Sequence, residues 1–508
     1  MYSCEDANRA AEILTDKLTL ILDKMAPLRT IQVRAKYAPW LSDETKDLMK
    51  ERNSAQTKAN ETKHPDDYRY YKSLRNQVTA RMRQEKTAWE KSKLSSASND
   101  PSRLWKNIKS WLAWNNSGPP TRLFHNGKLI CSPSGIAATM NSFFLSKVSG
   151  LRASIPPSPV DPLGKLREVM IDRQCSFSLS PVDSAYVLKI IKSLKNSKSS
   201  GTDNIDTFIV KLVADEIVGP LTHIINLSME KSVFPSMWKH AKVVPLLKKG
   251  DPLTAKNYRP VALLPIFSKI LERTVFNQLV NYLDSNSLIH SNHHGSRAGY
   301  STTTALIQMY DMWAEEVDKG NMVGVMMVDL SAAFDMVDYN LLLQKLKLFG
   351  LDTKAVAWMS SYLMGRKQSV LVDGSLSPPL GIQCGVPQGS ILGPLMYILF
   401  TNDIPDLPHN HPVSAADPAS YCHECGGTVC YVDDSTYSLA HSDPVVLSSA
   451  MTGEYEKIAR YMAANKLVIN DDKTHLVVMG TRRMDEERKV VDIKAGNHTI
   501  SPSWMYCE

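Results

Sequence analysis

The run Met322–Val328, MVGVMMV, carries no polar side chain and ends at Asp329. A near-continuous apolar strand is one buried on both faces, because a strand with a wet face alternates apolar and polar residues. Such a strand does not stand alone; it needs neighbours in a sheet and helices packed on that sheet. It also places one carboxylate, that of Asp329, where the strand emerges from the core.

The surrounding sequence supplies both kinds of partner. From Val243 onward, short β-rich runs such as KVVPLL, QSVLVDG and HLVVMG alternate with helical ones such as PIFSKILERTVFNQLVNYL and NLLLQKLKLFGL. The expected fold class is therefore α/β (α+β): a mixed sheet with helices packed on it.

A second acidic stretch, CYVDDSTYS, sets Asp433 and Asp434 side by side among strand formers. Adjacent aspartates repel each other and disfavour a strand; by themselves they read as a hairpin turn. If this strand neighbours the one ending at Asp329, three carboxylates meet in a small volume and push one another towards protonation. Two divalent cations reverse that preference, and hard oxygen ligands suit Mg²⁺. Paired metals are what in-line phosphoryl transfer requires, so the expected chemistry is nucleotidyl transfer. Between the acidic stretches lies GVPQGSILGPLMYILFTNDI, a tight Pro-Gln-Gly turn followed by an apolar helix. Gly389 lets backbone approach a ligand closely, and Gln388 hydrogen-bonds without adding charge.

At 508 residues the chain is long enough for several domains, and no apolar run approaches the roughly 20 residues that cross a bilayer. MYSCEDANRAAEIL has acidic residues and no apolar core, unlike a secretory signal. The net charge of +7 is uneven: Leu28 to Ser110 holds 19 Lys and Arg against 10 Asp and Glu. That basic arm fits either an anionic polymer as partner or a solvated helical surface. Residues 42–94 read as helix with Tyr71, Leu74, Val78 and Met82 on one stripe. In LWKNIKSWLAW, tryptophans alternate with lysines, which suits packed core first and stacking on single-stranded nucleic acid second. SIPPSPVDPLG (Ser154 to Gly164) reads as a linker, and Ser180 with Pro181 as the start of a helix.

Six segments then occur in order: NYRPVALLPIFSKILERTV, HGSRAGYSTTTALIQ, VDLSAAFDMVDYNLL, GVPQGSILGPL, YVDD and NKLVINDDKTHLVVMG. They resemble the successive reverse-transcriptase blocks of non-LTR retrotransposons, the LINE and jockey-like elements, over about residues 177–480. The resemblance implies a right-hand polymerase with fingers and palm, preceded by a mainly helical basic region like the segment that joins endonuclease to polymerase in such elements. It divides the chain into residues 1–153 (basic helical region), 154–164 (linker), 165–320 (upstream segment and fingers), 321–480 (palm) and 481–508 (tail).

By the same resemblance, Asp329 and Asp433 are the principal Mg²⁺ ligands, with Asp434 assisting. Phe334 corresponds to the bulky residue that excludes a 2′-hydroxyl. Gln388 and Gly389 border the nucleotide and template. Arg259, with Lys248 or Lys249, corresponds to the region gripping the triphosphate, and Lys473 to a lysine that protonates the leaving pyrophosphate; for Lys248 and Lys473 an ordinary surface lysine is the competing reading. The implied partners are an RNA template, a DNA primer and dNTPs, with nucleus and cytoplasm as the family's locations. In such elements an endonuclease precedes this region and a primer grip and helical thumb follow it. The sequence ends at SPSWMYCE, so the expectation is a truncated reading frame: a polymerase, or a catalytically silent nucleic-acid-binding remnant of one.

One cluster stands outside these blocks. Cys422, Cys425 and Cys430 precede the acid pair, with His423, His409 and His411 nearby. Cys-x-x-Cys followed by Gly fits a zinc knuckle, and it equally fits an insertion with reduced cysteines.

Overall fold

The computed structural model describes residues 4–27, 38–98, 100–111, 119–173, 175–407, 426–484, 488, 490–495 and 498–502. The chain forms two units, one of Met1–Met25 with Pro119–Glu508 and one of Ala26–Gly118. The stretch expected as a single basic region, 1–153, is thus divided between both.

In the smaller unit, the helical stretch expected over 42–94 is two helices, Asp43–Thr62 and Pro65–Ser95. Pro65 has no N–H to continue the first helix and disfavours helical geometry at His64, so the chain turns through Lys63 at φ +52°. The helices run antiparallel. Glu85 accepts hydrogen bonds from the Ser42 amide and the Thr45 hydroxyl, and Arg81 reaches Glu44. Leu74 and Val78 are buried at their contact, with Tyr71 and Met82 half-buried, as the stripe requires. In the aromatic-basic stretch, a third helix, Pro101–Trp111, leaves Trp105 54% exposed, so this one tryptophan is not packed core. The last tryptophan of the stretch, at 114, lies outside the described residues.

The larger unit is built on seven principal strands: β1 (His240–Leu247), β2 (Tyr258–Leu263), β3 (Met322–Val328), β4 (Lys367–Val372), β5 (Gly426–Tyr431), β6 (Asp434–His441) and β7 (His475–Met479). Four of them form an antiparallel sheet in the order β7-β3-β6-β5. The apolar β3 lies between β6 and β7, and Met322, Val323, Val325, Met326 and Val328 are all buried. Its two faces meet different helices. Val323 and Val325 pack with Trp313 and Val317 of the helix Thr302–Asp318. Met322, Met326 and Val328 face the main core, where Gly324 lies against Met451 of the helix Pro444–Ala464. A strand buried on both faces is what an uninterrupted apolar run encodes.

The second sheet joins β1 antiparallel to β2 and parallel to β4. The helix Pro133–Ala153 covers it, and Asn141 and Gln368 exchange buried amide hydrogen bonds with each other's side chain or backbone. The proline-rich stretch is non-helical from Ser154 to Leu163, with a helix beginning at Gly164, and it lies within the larger unit, where the Ser158 hydroxyl donates to the Arg460 carbonyl.

The helix expected from Ser180 and Pro181 starts later, at Ser184, with Asp183 accepting from the Tyr186 amide. The preceding backbone is diverted to side chains of other helices: the Ser180 amide to Gln278 and the Val182 amide to Asn226. Among the described residues no helix is long and apolar enough to cross a membrane.

Candidate active site

Strands β5 and β6 form a hairpin closed by Val432 and Asp433, since Tyr431 pairs with Asp434. A two-residue turn of this kind needs positive φ at its first central position, and Val432 supplies it at φ +60°. A β-branched residue seldom adopts that conformation, so the surroundings must impose it. They do so through Asn292–Gly295, which runs alongside β5. The Cys430 amide donates to the Asn292 carbonyl, and the His294 amide to the Cys430 carbonyl, both at 2.9 Å. At Gly295 a β-carbon would meet Val432 Cγ2 and lie 2.6 Å from its backbone nitrogen; only glycine leaves room for the turn.

The hairpin brings the acidic residues to one end of the sheet. Ser435 pairs with Val328, and continuing that register by one residue sets Asp434 opposite Asp329. Asp433 occupies the adjoining turn. Asp433 and Asp434 are exposed, while the Asp329 side chain is 33% exposed. Partial burial, and then the charges of Asp433 and Asp329, raise the Asp434 carboxyl above the usual range.

Asp329 is itself held. Its Oδ2 accepts from Lys473 Nζ and from Asn470 Nδ2, each at 3.0 Å, and its carbonyl accepts from the Asn470 amide at 2.8 Å. With Asp329 turned to Lys473, no three His, Cys, Asp or Glu side chains are gathered as a ready ligand set among the described residues. The donor set nevertheless suits a hard dication: it offers carboxylate oxygens only, and a dication would offset the neighbouring charges that, after burial, raise the Asp434 carboxyl.

Phe334 follows Ala332, which turns the chain at φ +54° into the short helix Ala333–Met336. Its ring stacks on Tyr397 at 4.8 Å between centroids and 25° between planes. Tyr397 belongs to the buried helix Leu392–Thr401, and its hydroxyl is pushed up by burial first and by the Asp433 charge next. Phe334 is thus tied to the helix that lies under the acidic pair.

The Pro-Gln-Gly turn is bonded on two sides. The Val386 amide donates to the Phe334 carbonyl and the Gly385 amide to the Val337 carbonyl, each at 2.8 Å. The Ala262 amide of β2 donates to the Gln388 carbonyl at 3.0 Å, and a β-carbon at Gly389 (φ +121°) would strike the Ala262 carbonyl. Below the turn, fully buried Glu272 accepts from the Ile391 and Leu392 amides, placing a carboxylate at the start of the helix Leu392–Thr401.

Arg259 lies on the β1-β2 ribbon opposite Leu246. The two-residue period sets Arg259, Lys242 and Lys248 on one ribbon face, with Arg259 and Lys248 exposed; Val243 and Tyr258 on the other face are buried.

Of the expected zinc ligands, Cys422, Cys425 and His423, with His409 and His411, lie outside the described residues. Cys430 is fully buried in the core, and burial pushes its thiol up to about 12. It is packed as a small apolar residue, not presented as a thiolate.

Several side chains that shape the site were not singled out by sequence reasoning: Glu272, Gly295, Asp335 and Asn470. All four lie inside the six ordered segments, but nothing local marks them, because each acts on a residue distant in sequence.

Residues 246–496 match the reverse transcriptase (RNA-dependent DNA polymerase) family, a span that includes the acidic residues, the Pro-Gln-Gly turn and Arg259 and Lys248 of the ribbon, while most of β1 precedes it. The chain is 32% identical over 234 residues to a probable RNA-directed DNA polymerase from transposon BS of Drosophila melanogaster, covering 46% of this chain and 26% of that protein. It is 32% identical over 234 residues to the RNA-directed DNA polymerase from mobile element jockey of Drosophila funebris, covering 46% and 25%. To the jockey protein of Drosophila melanogaster it is 31% identical over 312 residues, covering 61% and 33%. The chain therefore matches a quarter to a third of the length of these relatives. The chain thus carries a reverse-transcriptase domain over residues 246–496 and is similar to the RNA-directed DNA polymerases of jockey-like, non-LTR retrotransposons.

Proposed function

We propose that the chain is an RNA-directed DNA polymerase that transfers nucleotides from dNTPs onto a primer 3′-hydroxyl along an RNA template. The observation that carries this reading is the register that sets Asp434 opposite Asp329 with Asp433 in the adjoining turn. The four-stranded sheet takes the part of a palm and the β1-β2 ribbon that of fingers.

Asp329, Asp433 and Asp434 would hold two Mg²⁺ ions, which supply Lewis-acid activation of the attacking hydroxyl and charge neutralisation of the pyrophosphate. Asn470 holds the Asp329 carboxylate in place through Oδ2. Lys473 neutralises Asp329 and carries a proton at Nζ that the leaving pyrophosphate can take. Phe334, fixed by Tyr397, bars a 2′-hydroxyl, and Gln388 with Gly389 borders the base pair being formed. Arg259 and Lys248, on the exposed ribbon face, meet the triphosphate.

The test is RNA-templated extension of a labelled DNA primer by the purified chain with Mg²⁺ and dNTPs. Template-directed products support the reading. Tight, salt-sensitive binding of primer-template without any extension would replace it with the silent-remnant reading.

A further inference from the structure

Gln388 is held by more than its backbone. Its Nε2 lies 3.3 and 3.4 Å from the two carboxylate oxygens of Asp335. The Asp335 backbone is clamped in turn: Cys384 Sγ donates to its carbonyl at 3.4 Å, and a β-carbon at Gly385 would lie 2.6 Å from its Cα. Both residues line a cavity of about 420 Å³ between the turn, the helix Pro133–Ala153 and the β1-β2 ribbon.

A carboxylate only accepts hydrogen bonds, whereas a primary amide has a donating and an accepting end. The end of Gln388 facing Asp335 must therefore be NH₂, which turns Oε1 away from it. A neutral group at 335 would allow either orientation. We propose that Asp335 is a positioning residue that fixes the Gln388 amide with its oxygen towards the incoming nucleotide, so that the site selects a substrate bearing a hydroxyl donor there. This rests on the polymerase reading above.

The charged and titratable groups around Asp335 bear on how long it stays ionised. Lys147 and Arg152 approach from the helix Pro133–Ala153, with Arg152 bound to Asp338 at 2.6 Å. Arg366 lines the far side of the cavity, and Cys384 joins Gln388 on the turn. Burial dominates, opposed by Lys147 and the Gln388 hydrogen bond, and the carboxyl is pushed up to about 6. The fixed amide orientation is accordingly complete above that value and lost below it, where the neutral acid can donate as well as accept.

The experiment is single-nucleotide insertion by the full chain, comparing a dNTP with its 2′,3′-dideoxy analogue, which lacks the 3′-hydroxyl donor. Asp335→Asn keeps size and shape but frees the amide. It should raise KM for the dNTP about five- to tenfold with kcat changed about twofold at most, and narrow discrimination against the analogue. In the wild-type chain, KM should rise as pH falls below about 6, and the variant should lack that rise. On a Gln388→Ala background, Asp335→Asn should add nothing further. The proposal is overturned if Asp335→Asn leaves KM, discrimination and pH profile as they were, or if its effect adds in full to that of Gln388→Ala. A wild-type chain that inserts no nucleotide at all overturns instead the polymerase reading, and this proposal with it.

Discussion

Lys473 Nζ stands 3.0 Å from Asp329 Oδ2, joining residues 144 positions apart across the edge of the four-stranded sheet. An ammonium in that position competes with any metal ion for the same oxygen and also offers a proton. Its removal should therefore have two effects of opposite sense. In Lys473→Ala, kcat should fall by about 10²-fold, the size expected of a lost general acid. The Mg²⁺ concentration for half-maximal rate should fall as well. A Mg²⁺ titration of primer extension measures both; a variant needing more Mg²⁺ contradicts the pairing.

The Asp434 carboxyl is raised by partial burial and by the charges of Asp433 and Asp329. The sign follows from linkage. The folded protein binds this proton more tightly than the unfolded chain, so the ionised carboxylate costs stability at neutral pH, and stability is regained as pH falls through the folded value. Asp434→Asn should raise the metal-free melting temperature by roughly 1–3 °C at neutral pH, and by less at an acidic pH where the raised carboxyl is protonated. Mg²⁺ should stabilise the wild-type chain more than the variant. Thermal melts with and without Mg²⁺ at both pH values check this.

Gly295 makes room for a strained Val432. A methyl group there must push the turn, and with it Asp433, away from the sheet end. Gly295→Ala should cost about 1–3 kcal/mol of stability by overpacking, and extension should fall more steeply than the fraction of folded protein. Denaturant melts paired with extension rates separate the two losses. Full activity in Gly295→Ala would mean that the turn does not set the position of Asp433.

Phe334 rests on Tyr397 in a near-parallel stack. Phe334→Ala should admit ribonucleotides, narrowing discrimination against rNTPs by at least about tenfold, on the scale of one lost steric contact. Insertion kinetics with matched dNTP and rNTP pairs measure the ratio. Unchanged sugar discrimination would leave Phe334 as a core residue only.

Much of this arrangement was legible because it is written in local pattern. The run Met322–Val328 has no polar residue and is buried on both faces, and the alternation in β1 separates Val243 inside from Lys242 and Lys248 outside. Less legible were relations between distant residues. Nothing near Asp329 announces Lys473 or Asn470, and nothing near Val432 announces Gly295. Local rules also lost where tertiary partners competed: Ser180 looks like a helix start, yet its amide is taken by Gln278, and Asp183 caps the helix. The long helix expected over 42–94 failed at a single proline, because Pro65 begins a helix more readily than it continues one. In the cysteine cluster, Cys430 went to the core with its neighbours Thr428 and Val429, because β5 is buried along this stretch.

On the polymerase reading, the acids at the end of β3 and in the β5-β6 hairpin act together on phosphoryl transfer. The decisive measurement is RNA-templated primer extension with the wild-type chain beside Asp433→Ala, prepared identically and shown to be folded. Extension by the first and a loss of at least about 10³-fold in the second are expected, since the metal-held transition state would lose a principal ligand. Equal incorporation by both would contradict that reading, whatever the resemblance of the surrounding sequence.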